Sequence, residues 1–161
     1  MITAEIVRGQ KIPQIFQERG AKFESAVSQA VMILAIKMTG LVKQKLSGDV
    51  LKVRTGRLRR SIHYTLENTT NRSTAIVGTN VEYAAIHEFG GTIPAHVIFP
   101  KNKQALKFMM GGQVVFAKRV NIPAVTMPQR SFLQSSLDQM MPEIKDTLTR
   151  TVNRVMKGET A

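Results

Sequence analysis

Cysteine and tryptophan are absent from the 161 residues, tyrosine occurs twice, and 11 acidic residues face 23 lysines and arginines. Without cysteine there is no disulfide, no thiol nucleophile and no thiolate metal ligand, which suits a reducing cytosol. With so few aromatics interleaved among the basic residues, single-strand recognition by base stacking has no support. The shortage of acids leaves a formal charge of +12 and a pI near 10.5. Such a balance favours polyanions or acidic protein surfaces as partners. No apolar run approaches the roughly 20 residues that cross a bilayer. The opening Met1-Ile2-Thr3-Ala4-Glu5 also lacks the basic segment and apolar core of a signal peptide. The expectation is a soluble intracellular product with no membrane partner.

Catalytic patterns are missing as well. His87-Glu88 would open a zinc-protease helix only with a second histidine four residues after the first, and Gly91 stands there. His63 and His96 have no Asp, Glu or His at ligand spacing beside them. There is no Gly-x-Ser-x-Gly elbow, no phosphate-binding glycine loop and no carboxylate pair placed for hydrolysis. The sequence predicts no enzyme, no cofactor and no metal site.

At this length one domain with a real core is expected, burying roughly two thirds of its unfolded surface. Ile2, Ala4 and Ile6 alternate with polar neighbours up to Gly9, predicting a short first strand, and Pro13 opens a brief helix that should close at Gly20. Over residues 21–46, Phe23, Val27, Ala30, Val31, Leu34, Met38, Leu41 and Val42 recur at steps of three and four, predicting a long helix with one buried face. Lys43 and Lys45 suit its negative end and Ser47-Gly48 its termination. Ile62, Tyr64 and Leu66 alternate with polar residues in a strand, residues 68–73 form a loop, and residues 74–79 return as an antiparallel strand. Residues 83–89 form a helical turn stopped by Gly90-Gly91. A proline-bounded extended piece follows over 92–100 and a loop over 101–104. Residues 105–110 and 113–120 form a hairpin about Gly111-Gly112, and residues 121–128 leave it as a loop. Leu133, Leu137, Met140, Ile144, Leu148, Val152 and Val155 line a closing helix over 131–156, with a kink or restart at Pro142 and a frayed tail over 157–161. The fold class is α+β, an antiparallel sheet covered by a long helix from the N-terminal half and a C-terminal helix.

The densest chemistry lies at the junction of helix and strand. Val53-Arg54-Thr55-Gly56-Arg57-Leu58-Arg59-Arg60-Ser61-Ile62 places four guanidinium groups within seven residues. Arg54, Arg57, Arg59 and Arg60 present planar donors suited to phosphates or to carboxylates in a bidentate fork. The competing reading is a solvated turn in which one arginine pairs internally with an acid such as Glu88. The basic segment over 92–104, with Lys101 and Lys103, is a candidate interface that orders against a neighbour. Nine methionines are either core filler or an adaptable contact surface.

Three motifs fall in order: Thr55-Gly56-Arg57-Leu58-Arg59 with Ser61-Ile62, then Tyr83-Ala84 with Glu88-Phe89-Gly90, then Arg130-Ser131-Phe132-Leu133. Together with the helices that flank them they resemble the tail-completion or head-tail joining (minor tail, virion morphogenesis) proteins of long-tailed bacteriophages. Two departures are local: Asn121-Ile122-Pro123-Ala124 stands where relatives often have His-Pro-Gly, and Ser131 stands where proline is frequent. The resemblance implies a small α+β protein of the virion neck, assembled in the host cytoplasm into a homo-oligomeric, sixfold ring. Its implied partners are the head connector or adaptor on one side and the tail tube or tail terminator on the other, with DNA passing through the lumen. The implied interface residues are Arg54, Arg57, Arg59, Arg60, Glu88, Phe89, Lys101, Lys103, Arg130 and Phe132. The alternative reading is a basic nucleic-acid-binding module of a phage or prophage.

Overall fold

Apolar residues at helical spacing, with the only early proline in the first turn, favour a single long helix ahead of the arginine turn. The computed structural model describes residues 12–51, 55–69 and 72–158, and in it α1 runs Ile12–Gln44 without a break. The brief helix expected to close at Gly20 is thereby corrected. Glycine inside a helix costs only about 1 kcal/mol relative to alanine, too little to stop a helix of 33 residues. The strand expected over residues 2–8 lies outside the described residues, as does Arg54.

The chain divides into two compact units, residues 1–81 with 132–161 and residues 82–131. In the first unit α1 packs against α4, Gln134–Met156, and against the hairpin of β1, His63–Thr69, and β2, Arg72–Gly78. Ala30, Leu34, Ala35 and Val42 of α1 are buried, with Leu46 beyond it. Each large side chain among them contributes roughly 1.5–3 kcal/mol. Small polar residues share this interior: Thr39, Ser136 and Thr151 each donate a hydroxyl to the carbonyl four residues earlier, at 2.8, 2.6 and 2.8 Å. Their hydroxyls are met by backbone carbonyls close in sequence, Ser136 by the residue two before α4 begins, so they are buried without an orphaned donor. Lys37 of α1 and Glu143 of α4 form an ion pair at the exposed edge, a contact worth about 0–1 kcal/mol.

The segment Gly20–Gly48 holds an 18-residue window of mean hydropathy 1.6, long and apolar enough to cross a membrane. This corrects the expectation that no stretch comes near that length, because Ser28, Gln29, Lys37 and Thr39 only interrupt an otherwise apolar run. A core helix has the same composition, and the buried stripe of α1 is of that kind.

α1 passes into a π-helical turn, Lys45–Asp49, closed by the Val50 N–H donating to the Lys45 carbonyl at 3.0 Å. Gly48, at φ 144°, leaves the helix where Ser47-Gly48 predicted. β1 and β2 pair antiparallel from His63↔Gly78 to Thr69↔Arg72. The six-residue loop expected over 68–73 is therefore shorter, since Asn68, Thr69, Arg72 and Ser73 all join the ladder. Polar side chains on an exposed ladder cost nothing, so composition alone misplaces that turn. α4 continues through Pro142 with no restart. Pro142 is exposed, and the helix runs on past it despite the backbone hydrogen bond that its missing N–H removes. The class is α+β, with antiparallel strands between a long N-terminal-half helix and a C-terminal helix.

The second unit starts with α3, Ala84–Phe89. Beyond it β3, Gly91–Ile93, pairs with β8, Val125–Met127; β4, His96–Ile98, with β7, Val120–Ile122; and β5, Leu106–Met110, with β6, Gln113–Ala117. The three ladders are nested, so they form one two-stranded ribbon that turns at Gly111-Gly112, where φ is 59° and 82°, as a two-residue hairpin requires. The register of β3 with β8 carries on unchanged into β4 with β7. It places Pro94 opposite Ala124 and Ala95 opposite Pro123. Proline has no N–H to give a ladder, so the pairing lapses on both strands at once and then resumes. Residues 121–128, expected as a loop, are thus mostly strand, and the extended piece expected over 92–100 supplies the opposite strand.

Candidate interaction surfaces

The arginine cluster sits on α2, Arg57–Ser61, a single helical turn. Gly56 at φ 69° makes the left-handed step into it, and the Arg60 N–H donates to the Gly56 carbonyl at 3.0 Å. Ile62, only 2% exposed, anchors its far end. Ser61 Oγ donates to the Leu58 carbonyl at 2.7 Å, which leaves it to accept from Thr79 Oγ1 at 2.6 Å, while Thr79 Oγ1 accepts from the Val81 N–H at 3.2 Å. This relay ties the arginine turn to the end of β2 and fixes its orientation. Arg57, Arg59 and Arg60 all point into solvent. Ion pairs among the described residues are Lys37–Glu143 and Arg150–Asp146. Arg57, Arg59 and Arg60 therefore have no carboxylate partner among the described residues, and the internally paired reading falls to Arg54, which lies outside them.

Glu88 occupies a different setting. It is buried, 4% exposed, and accepts a 2.7 Å hydrogen bond from Ser131 Oγ. One residue away the Arg130 N–H donates to the His87 carbonyl at 2.7 Å. Between these contacts a Cβ on Gly90 would stand 2.8 Å from the Gln129 nitrogen and 3.1 Å from the Met127 oxygen. Gly90 also has φ 70°. The run His87-Glu88-Phe89-Gly90 is thus a corner where two stretches of backbone meet, and only glycine fits it. Tyr83 and His87 stack edge to face at 6.2 Å.

Of the ten residues the sequence singled out, Arg57, Arg59, Arg60, Phe89, Lys101, Lys103 and Arg130 are exposed. Glu88 and Phe132 are interior, Phe132 fully so, so neither presents its side chain at the surface. Glu88, Phe89 and Arg130 gather at the α3 corner, whereas Lys101 and Lys103 lie on residues 99–105, the longer side of an unequal gap in the ribbon. Among the described residues no three His, Asp or Glu side chains converge as metal ligands would.

Of the apolar surface of the ribbon, sequence reasoning reached only the methionines, read as core filler or an adaptable contact surface. Phe99, Met109, Met110 and Phe116 are 62, 70, 68 and 66% exposed, and Val97, Val114 and Val125 more than 40%. The legible trace was compositional: residues 91–127 contain Lys101, Lys103, Lys107, Lys118 and Arg119 and no Asp or Glu. A second feature is a groove of about 460 Å³ between α1 and α4, floored by Ala26, Ala30 and Ile33 and rimmed by Lys37, Arg150 and Arg154.

A family model described as the phage virion morphogenesis family matches residues 36–153. The match spans the arginine turn, the α3 corner, the whole ribbon and nearly all of α4. Comparison with curated proteins and with solved structures gives no match.

Proposed function

The chain belongs to the phage virion morphogenesis family, and from that membership we propose that it is a structural protein of the neck of a tailed bacteriophage, forming a ring that completes the tail and joins it to the head connector. The observation that carries this reading is the family match over residues 36–153. A virion component of this family has an assembly role, and the exposed chemistry fits one: surfaces for contact rather than a pocket for reaction. Identical subunits joined head to tail close into a ring when the rotation between neighbours allows it, and weak contacts then add through multivalency. In the proposed neck the ring is sixfold, non-enzymatic, and flanked by the connector or adaptor and by the tail tube or terminator. Arg57, Arg59 and Arg60 are exposed and have no carboxylate partner among the described residues, and they supply bidentate donors to acidic groups on the neighbouring subunit.

The charge of +12 favours a second reading, a basic module that binds nucleic acid. One experiment separates the two. Arg57→Glu with Arg59→Glu leaves a folded chain but yields heads and tails that stay unjoined in electron micrographs. Normal infectious particles from that variant would overturn the neck assignment. A wild-type monomer whose DNA affinity falls by about one logarithmic unit per phosphate contact for each tenfold rise in salt would favour the second reading.

A further inference from the structure

The tip of the ribbon is apolar on both faces, which a folded chain leaves in water only at a cost. In the β5–β6 register Met109 lies opposite Val114 and Lys107 opposite Phe116. Met109, Val114 and Phe116 therefore share one face. The opposite face carries Phe108, Val115 and Met110, of which Met110 is 68% exposed. A two-stranded hairpin is marginally stable alone in water, and exposed apolar patches of this kind mark contact surfaces. Phe108 and Val115 are half-buried, but Met109 and Met110 are exposed on opposite faces, so a flat partner would leave one of them in water, whereas a cleft covers both.

We propose that the ribbon 91–127 is a docking arm whose tip inserts into an apolar-walled, acid-rimmed cleft of a different virion protein; the inference rests on the assembly reading above for the partner's being a virion protein. Charge selects the partner. The ribbon carries five cations and no anion; removing them from the chain total leaves 18 basic against 11 acidic residues elsewhere, so a second copy offers a like-charged surface. Two acids of α4, Glu143 and Asp146, are already paired with Lys37 and Arg150. A nucleic acid would engage the lysines and leave Met109, Met110 and Val114 in water. An acidic rim meets Lys101, Lys103 and Lys107 while apolar walls cover the tip, and methionine adapts its shape to such walls.

A photo-crosslinking residue, p-benzoylphenylalanine, placed at Met109 or at Phe116 of the full-length chain and carried into particles tests this. Irradiated particles give cross-links from both positions to one other virion protein, in a peptide rich in Asp and Glu. Adding Lys101→Glu and Lys103→Glu lowers the yield roughly tenfold, the low end of what electrostatic steering provides. Cross-links to another copy of the chain or to nucleic acid, or none in particles that contain the chain, overturn the docking arm while leaving the assembly reading standing. An unchanged yield in the charge-reversed variant overturns the acidic rim. Particles complete without the chain overturn the assembly reading, and the docking arm with it.

Discussion

Gly90 shows how a single residue can be placed for backbone reasons alone. Its motif, Glu88-Phe89-Gly90, looks like a contact signature in the sequence, yet the structure buries Glu88 beneath the Ser131 hydroxyl and brings the Gln129 backbone within 2.8 Å of where a Gly90 side chain would begin. A methyl group there meets backbone atoms that cannot swing aside, at a φ that disfavours it besides. Gly90→Ala should destabilise the fold by about 2–4 kcal/mol, the combined scale of left-handed strain and backbone overlap. Chemical denaturation would read this as a lowered midpoint, and a midpoint within error of the wild type would refute the close approach. By contrast, Gly20 and Gly111 have open space about them, so packing gives no reason for glycine at either. At Gly111 the positive φ does.

Among the elements, α4 and the ribbon show opposite relations between pattern and outcome. The apolar stripe of α4 is strong enough to place the helix, and its proline predicts a kink or a restart, of which the restart does not occur. The helix instead carries Pro142 inside it, on the exposed side. Proline in a helix interior costs about 3 kcal/mol relative to alanine, so Pro142→Ala should raise the unfolding free energy by about 1–3 kcal/mol without altering the fold. Thermal melts followed by far-ultraviolet dichroism check the sign, and a lowered melting temperature would mean that the proline is fitted to its surroundings. In the ribbon the local signals are right at the tip, and at the base they give an extended piece over 92–100 but no partner for it. Gly111-Gly112 announces its turn, but β3 and β8 lie more than 30 residues apart and are three residues long. Strands so short and proline-flanked carry too little alternation to be told from loop, and their pairing depends on a partner that is distant in sequence.

At the scale of the whole molecule, an excess of positive charge on a chain of this family opposes self-association at low salt. A ring must offset that repulsion through the bidentate contacts assigned to the arginine turn and through neighbours beyond the ring. Sedimentation at rising protein concentration should show a closed species of defined size, with Val114→Glu and Phe116→Glu leaving it intact because the arm serves another protein. A chain that stays monomeric at every concentration and salt would count against the ring, and loss of the ring in the arm variant would assign the arm to self-contact.

The sequence by itself determined the class of fold, the long helices and the arginine turn. These follow from periodicity, capping and composition, which act between residues a few positions apart, and the family resemblance rests on motifs of the same local kind. Only the tertiary structure decided that Glu88 and Phe132 are interior, that Arg57, Arg59 and Arg60 have no carboxylate partner among the described residues, and that two proline-broken segments zip into one arm. Burial and long-range pairing are properties of what meets in space, and a chain's order along the backbone does not encode them one residue at a time.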